Sequence, residues 1–273
     1  MFEISVATCS ECGQRSTNED SLRAGSAGST HYVIVSDGVG GHARGAEASR
    51  RAVDHIEAAL HAASSAFAGA ALAEALVSAH VALQQAQLGA AGRQRMHATV
   101  VALWIDTRHD RALWSHVGDS RLYRLRYGGV DFVTADDSVV QGMLEHGILT
   151  PQQAQDHPLK HQLLAAVGMQ DKLEPHTVAQ AEPLDDGDAF LLCTDGWWGE
   201  LTDAQITATL TRASTPQAWL DAMRELILAQ AAPGQDNFSA IALWVTDPAE
   251  VTRSMAEADA DADATISAPL RDD

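Results

Sequence analysis

An α+β fold, with antiparallel sheets carrying helices on their outer faces, is expected from three observations. Apolar runs between about residues 97 and 134 follow one another through links too short for a crossover, such as Asp106-Thr107-Arg108-His109-Asp110 and Tyr127-Gly128-Gly129. Short links between successive strands require antiparallel pairing. Two Ala-rich segments with helical spacing stand side by side, so the order is strand, helices, strands, helices, strand rather than a βαβ alternation. The third observation is a hydrophobic content of 46% over 273 residues, enough for a sizeable core in one large domain or two small ones.

Residues 2 to 8 alternate apolar and polar and read as a strand, followed by a polar loop through Asp20. Residues 31 to 36 read as a buried strand. Helices are expected from Ala43 to about Leu60 and from about Ala70 to Leu88, the second closed by Gly89 and Gly92. Strands then fall at about 97 to 105, 111 to 117, 121 to 127 and 130 to 134. Between 136 and 175 the chain becomes mostly polar. Ser138 with Gln141, and Thr150-Pro151-Gln152-Gln153, carry capping-box spacing and predict short helices there. Strands at about 175 to 181 and 188 to 194 flank a turn at Asp185-Asp186-Gly187. Helices start at Thr202 and at Thr215-Pro216, and a last strand runs from Phe238 to Val245. Beyond it, residues 248 to 273 form an Ala/Asp/Glu-rich stretch with few large apolar residues, expected to be a disordered acidic tail.

Eighteen Lys and Arg against 37 Asp and Glu give a formal charge of -19. That balance argues against nucleic acid or an anionic membrane as the main partner. The start of the chain lacks a basic segment followed by a long apolar core, and no charge-free run of about 18 apolar residues occurs. A cytoplasmic monomer is the default expectation. Cys9 and Cys12 make a lone C-x-x-C, whereas structural zinc wants a second pair or well-placed histidines. They read as small residues where a strand becomes a loop, and Cys193 as a core residue.

The chemistry concentrates in aspartates next to small residues at strand ends. They are Asp37 in Asp37-Gly38-Val39-Gly40-Gly41-His42, Asp119 in Gly118-Asp119-Ser120, Asp195 in Thr194-Asp195-Gly196 and Asp236 in Gln235-Asp236-Asn237, with Glu19-Asp20 as a further acidic pair. Converging carboxylates repel one another and lose hydration, so such a cluster calls for cations, and all-oxygen donors favour Mg²⁺ or Mn²⁺ over zinc. Arg15, five residues before Asp20, is a candidate phosphate clamp or simply a partner in a surface ion pair. The glycines after Asp37 imitate a dinucleotide fingerprint, but the second parallel strand that fold needs is missing. They are read instead as allowing close backbone approach to an ion. Trp197-Trp198 reads as packing, with substrate docking as the alternative.

Together, Arg15 to Asp20, Asp37-Gly38-x-Gly40-Gly41-His42, Gly118-Asp119-Ser120-Arg121, Asp195-Gly196 and Asp236-Asn237 resemble the metal-dependent serine/threonine protein phosphatases of type 2C, in their bacterial form. His157-Pro158 and Ala165-Ala166-Val167-Gly168 resemble the stretch after that family's flap. The resemblance covers about residues 5 to 245 and places the catalytic domain at 1–247, with a flap-like insertion at 136–175. It implies a four-layer α/β/β/α sandwich with a binuclear Mn²⁺ or Mg²⁺ site at one end. Asp37 would bridge the ions, the Gly38 carbonyl would bind the second, and Asp195 and Asp236 would complete the first. Asp119 with Asp195 would hold a weaker third ion, Glu19 and Asp20 would hold ion-bound waters, and Arg15 would bind phosphate. The implied reaction is hydrolysis of phosphoserine and phosphothreonine in proteins by a metal-activated water, opposing a Ser/Thr kinase. A regulatory phosphatase dedicated to one phosphoprotein and a non-catalytic scaffold are the alternatives.

The chain departs from the family at Val39, where many eukaryotic members have histidine, and at Asp137, His97 and His161. His42 is the nearest candidate acid in place of Val39, and none of the departures is expected to touch a metal ligand.

Overall fold

A computed structural model describes residues 2–39, 44–63, 66–90, 94–155, 157–230 and 234–248. Gly40, Gly41, His42, Gly92 and the expected tail from 249 onward therefore lie outside the described residues. The chain opens with strands β1 (Glu3–Glu11), β2 (Asp20–Ala27) and β3 (Thr30–Val39), then helices α1 (Gly45–Ala62) and α2 (Gly69–Ala86). Strands β4 (His97–Ala98), β5 (Val100–Asp106), β6 (Arg111–Val117), β7 (Arg121–Arg126) and β8 (Gly129–Val133) follow. Next come α3 (Val139–Glu145), α4 (Pro151–Gln155), β9 (His176–Thr177), β10 (Glu182–Pro183) and β11 (Ala189–Cys193). The last elements are α5 (Asp195–Trp198), α6 (Asp203–Leu210), α7 (Pro216–Ala229) and β12 (Phe238–Thr246).

One antiparallel sheet runs in the order β1-β12-β11-β7-β8 and the other β10-β6-β5-β3-β2, with β4 added to β3 and β9 to β6. The alternation of side chains along each strand builds the layers. On β3, Val33 and Val35 face the other sheet while Tyr32 and Ile34 face α1 and α2. On β12, Ile241, Leu243 and Val245 face inward while Phe238, Ala240 and Ala242 pack with Trp219, Leu220 and Met223 of α7. Three cores result, helix on sheet, sheet on sheet and sheet on helix, which is the expected α/β/β/α sandwich. Cys193 is fully buried in the outer core, and Cys9 packs against the same cluster.

Three readings of the sequence need correction. The first strand runs past residue 8 to Glu11, and residues 20–27 form an unexpected strand, β2, paired with β3 from Asp20 opposite Asp37 to Ala27 opposite Thr30. Leu22 is the one large apolar residue in that edge strand, so it carries no alternation; the β3 ladder defines it. The strand expected at 97 to 105 is interrupted at Thr99, which turns to bond Asp37 and Ser120. The strand expected at 175 to 181 is reduced to the two residues of β9, paired with β6, and β10 pairs with β6 only beyond that span.

Residues 136–175 cross the end of the sandwich with α3 and α4. Ser138 caps α3 by accepting from the Gln141 backbone N–H, but the Gln141 side chain turns to Glu145 and the box stays half made. Thr150 and Gln153 complete theirs. The return is pinned at Gly168, where φ is +88° and an added Cβ would stand 2.2 Å from the Met96 carbonyl oxygen.

Candidate metal centre

Antiparallel pairing brings the C-terminal ends of β3, β6 and β11 to the same edge as the N-terminal ends of β2, β7 and β12. Asp37, Asp119, Asp195, Asp20 and Asp236 all leave the sheets at that edge. Full pairing of β1 with β12, from Glu3 opposite Thr246 to Glu11 opposite Phe238, brings the loop of residues 12–19 against Asp236. Asn237 fastens this loop: its amide donates to the carbonyls of Cys12 (2.9 Å) and Thr17 (3.0 Å), and its oxygen accepts from the Glu19 N–H (2.8 Å). Gly13, with φ +57°, lies so close that a Cβ would stand 2.1 Å from the Asp236 carbonyl oxygen.

A cavity of about 540 Å³ opens at this edge; its lining includes Arg15, Glu19, Asp37, Asp119, Asp195 and Asp236. Lys160, His161 and Leu163 enter it from the 136–175 segment. Asp20 sits behind the lining, opposite Asp37 across the β2–β3 pair. One of its oxygens accepts from Thr194 Oγ1 (3.1 Å), while the other is buried with no hydrogen-bond partner. Burial, then the nearby charge of Asp195, pushes the Asp20 carboxyl up to about 7. Burial and Asp195 likewise push Asp119 up to about 8. Asp37 is raised well above the usual carboxylate range by burial and then by Asp20, Asp195, Asp119 and Asp236.

Gly38 is required for a different reason from the one its spacing suggests. A Cβ there would stand 2.2 Å from the backbone oxygen of Gly45, the first residue of α1, so the crowding is between two backbones. Glycine at 45 is required in turn, because a Cβ there would stand 2.7 Å from the Gly38 backbone oxygen. Gly38→Ala is expected to destabilise the protein by about 1–3 kcal/mol, the usual cost of overpacking. Thermal denaturation checks this; an unchanged midpoint would mean that the β3–α1 junction yields freely.

Arg15 is paired with Asp236 at 2.7 Å, both half exposed, rather than with Asp20. The flap-side departures do not stay clear of the site. His161 Nδ1 lies 3.1 Å from Asp195 Oδ2, and this hydrogen bond holds the imidazole above its ordinary pKa. Asp137 accepts from the Gly118 N–H (2.9 Å), beside Asp119, and from His176 Nε2 (2.8 Å). The His161 contact corrects the expectation that no departure touches a proposed metal ligand, while Asp137 reaches only the neighbour of one. The two tryptophans divide: Trp197 is fully buried in the outer core, while the Trp198 indole N–H donates to the Asp119 carbonyl (2.8 Å).

Among the described residues no three His, Cys, Asp or Glu side chains already stand at a metal-holding separation. The donor set still suits a hydrated hard cation, which binds through one or two carboxylates and keeps several waters. Buried mutually repelling carboxyls and an unpartnered Asp20 oxygen are what such an ion would relieve.

A two-sheet sandwich with an acidic cavity at its strand edge presents a donor set suited to hard divalent cations. Residues 10–237 match the protein phosphatase 2C family. The chain is 31% identical over 249 residues to the serine/threonine protein phosphatase PstP of Mycobacterium tuberculosis, covering 85% of this chain and 43% of PstP. A solved structure of the PstP catalytic domain in complex with two manganese ions superposes with a TM-score of 0.78 at 26% identity, covering 90% of this chain and all of that one. PppA, a regulatory component of T6SS in Pseudomonas aeruginosa, superposes with a TM-score of 0.71 at 30% identity, covering 89% of this chain and 97% of its own. The chain belongs to the protein phosphatase 2C family.

Proposed function

We propose that this chain is a divalent-metal-dependent protein phosphatase that hydrolyses phosphoserine and phosphothreonine. The observation that carries the reading is the convergence of Asp20, Asp37 and Asp119 with Asp195 and Asp236, the first three with raised carboxyls, at one cavity edge. Asp37, the Gly38 carbonyl, Asp195 and Asp236 would hold two Mn²⁺ or Mg²⁺ ions, Asp119 with Asp195 a third, and Glu19 and Asp20 ion-bound waters. When bound, the ions supply an activated water and neutralise charge on the phosphoryl oxygens. Arg15, at the exposed rim, takes the substrate phosphate, and Lys160, which also lines the cavity, adds a second cation. The 136–175 segment acts as a flap over the cavity, within a catalytic domain of residues 1–247. PstP and PhpP bear phosphatase names from bacteria, which supports a bacterial phosphoprotein, and an opposing Ser/Thr kinase, as partners. A cytoplasmic monomer remains the working state; among the described residues no helix is long and apolar enough to cross a membrane.

The test is hydrolysis of an aryl phosphate and a phosphothreonine peptide with Mn²⁺ and with EDTA. Turnover that needs the ion supports the enzyme; ion binding without turnover on either substrate would favour a phosphatase dedicated to one partner. Arg15→Ala is expected to raise KM for the peptide about 10- to 100-fold, the value of one charge-assisted contact, with a smaller change in kcat. An unchanged KM would remove Arg15 from phosphate binding.

A further inference from the structure

Asp119 is held from three sides. Gly118, at φ +95°, lies against Thr99, where a Cβ would stand 2.7 Å from the methyl group. Ser120 Oγ pairs with Thr99 Oγ1 at 2.7 Å, tying the turn to the Asp37 strand. Asp137 accepts from the Gly118 N–H and ties it to the 136–175 segment. The last attachment is the Trp198 indole N–H on the Asp119 carbonyl. It differs from the others because Trp198 ends α5, the single helical turn that begins with Asp195. The turn is closed by the Gly199 N–H on the Asp195 carbonyl at 2.8 Å.

The indole is itself fixed. Arg121 lies over its ring with the guanidinium carbon 3.5 Å from the centroid. Arg121 forks onto both oxygens of Asp136, each at 2.8 Å, at the start of the flap-like segment. A charged plane stacked on an aromatic face and locked by a bidentate carboxylate leaves the ring little freedom. Trp198 does not line the cavity.

We propose that Trp198 is a positioning residue: its indole N–H sets the separation between the carboxylates of Asp119 and Asp195, and the Arg121–Asp136 fork keeps that clamp in register with the flap. The proposal rests on the reading that these two aspartates share an ion. It differs from a packing role in needing the N–H, not the ring.

The test is a titration of the metal-free 273-residue chain with Mn²⁺, following free Mn²⁺ by electron paramagnetic resonance, for wild type, Trp198→Phe and Asp119→Asn. In Trp198→Phe the weakest site is expected to lose affinity about 5- to 10-fold, toward Asp119→Asn, while the tighter sites keep theirs. If Trp198→Phe does not fold, benzothienylalanine at position 198, which keeps the ring shape without the N–H, replaces it. A wild-type isotherm in the N–H-less variant beside an altered one in Asp119→Asn overturns the clamp alone. A uniform loss at every site overturns it in favour of general packing. Wild-type binding in Asp119→Asn overturns the shared-ion reading and the clamp with it.

Discussion

Asp37→Asn and Asp195→Ala are each expected to lower turnover of a phosphothreonine peptide by at least about 10³-fold, and chelation of divalent ions to do the same to the wild type. The expectation rests on position. Asp37 lies near the end of β3 in the middle of the acidic edge, with its pKa raised by burial and by Asp20, Asp195, Asp119 and Asp236. Asp195 is a neighbour in common, raising Asp20, Asp37 and Asp119 alike. Removing either takes a donor from the point where the others meet. Steady-state kinetics with added Mn²⁺ and intact far-UV circular dichroism check the result. Turnover within tenfold of wild type in Asp37→Asn would displace the centre from this edge.

The second large effect is on stability without metal. Asp119 ionises near the ordinary carboxylate value when unfolded but at about 8 when folded. A raised folded pKa means the native state holds its proton more tightly. The associated stability is complete below about pH 4 and is lost as pH rises toward 8. Asp20, at about 7, acts in the same direction. Buried neutral His80 and His116, both lowered by burial, act oppositely, losing stability as pH falls below about 6.5. A difference between variants separates the two effects. Metal-free Asp119→Asn should match wild type below about pH 4 and exceed it at pH 8 by on the order of a few kcal/mol. Chemical denaturation at the two pH values measures the gap, and a gap that does not widen would mean that Asp119 is ionised in the folded apoprotein. The same substitution would then weaken ion binding while stabilising the fold, as expected where like charges are held together for function.

Much of the site was legible because its residues lie in short motifs. Asp37-Gly38, Gly118-Asp119, Asp195-Gly196 and Asp236-Asn237 each close or open a strand whose apolar run is visible in the sequence. What escaped was carried by partners distant in the chain. His161 meets Asp195 across 34 residues, and Arg15 meets Asp236 across 221. Asn237 had a signal, its place beside Asp236, but its use as the brace for residues 12–19 depends on β1 pairing with β12. Trp198 carried only the ambiguity of a tryptophan pair, which burial of one and hydrogen bonding of the other resolved.

The sequence by itself determined the α+β class, the antiparallel pairing of β5 with β6 and of β7 with β8, the starts of the later helices and the identity of the acidic residues, whereas the short link from β6 to β7, expected to join paired strands, crosses between the two sheets. The features it determined are local: period-two alternation, caps and turn residues act over a few positions. Only the tertiary structure decided that Asp20 belongs to a strand opposite Asp37, that Gly38 yields to the Gly45 backbone, and that the flap-side histidine reaches Asp195. An edge strand with little apolar pattern is defined by the ladder it joins, and repulsion among buried charges exists only once folding has removed the water between them.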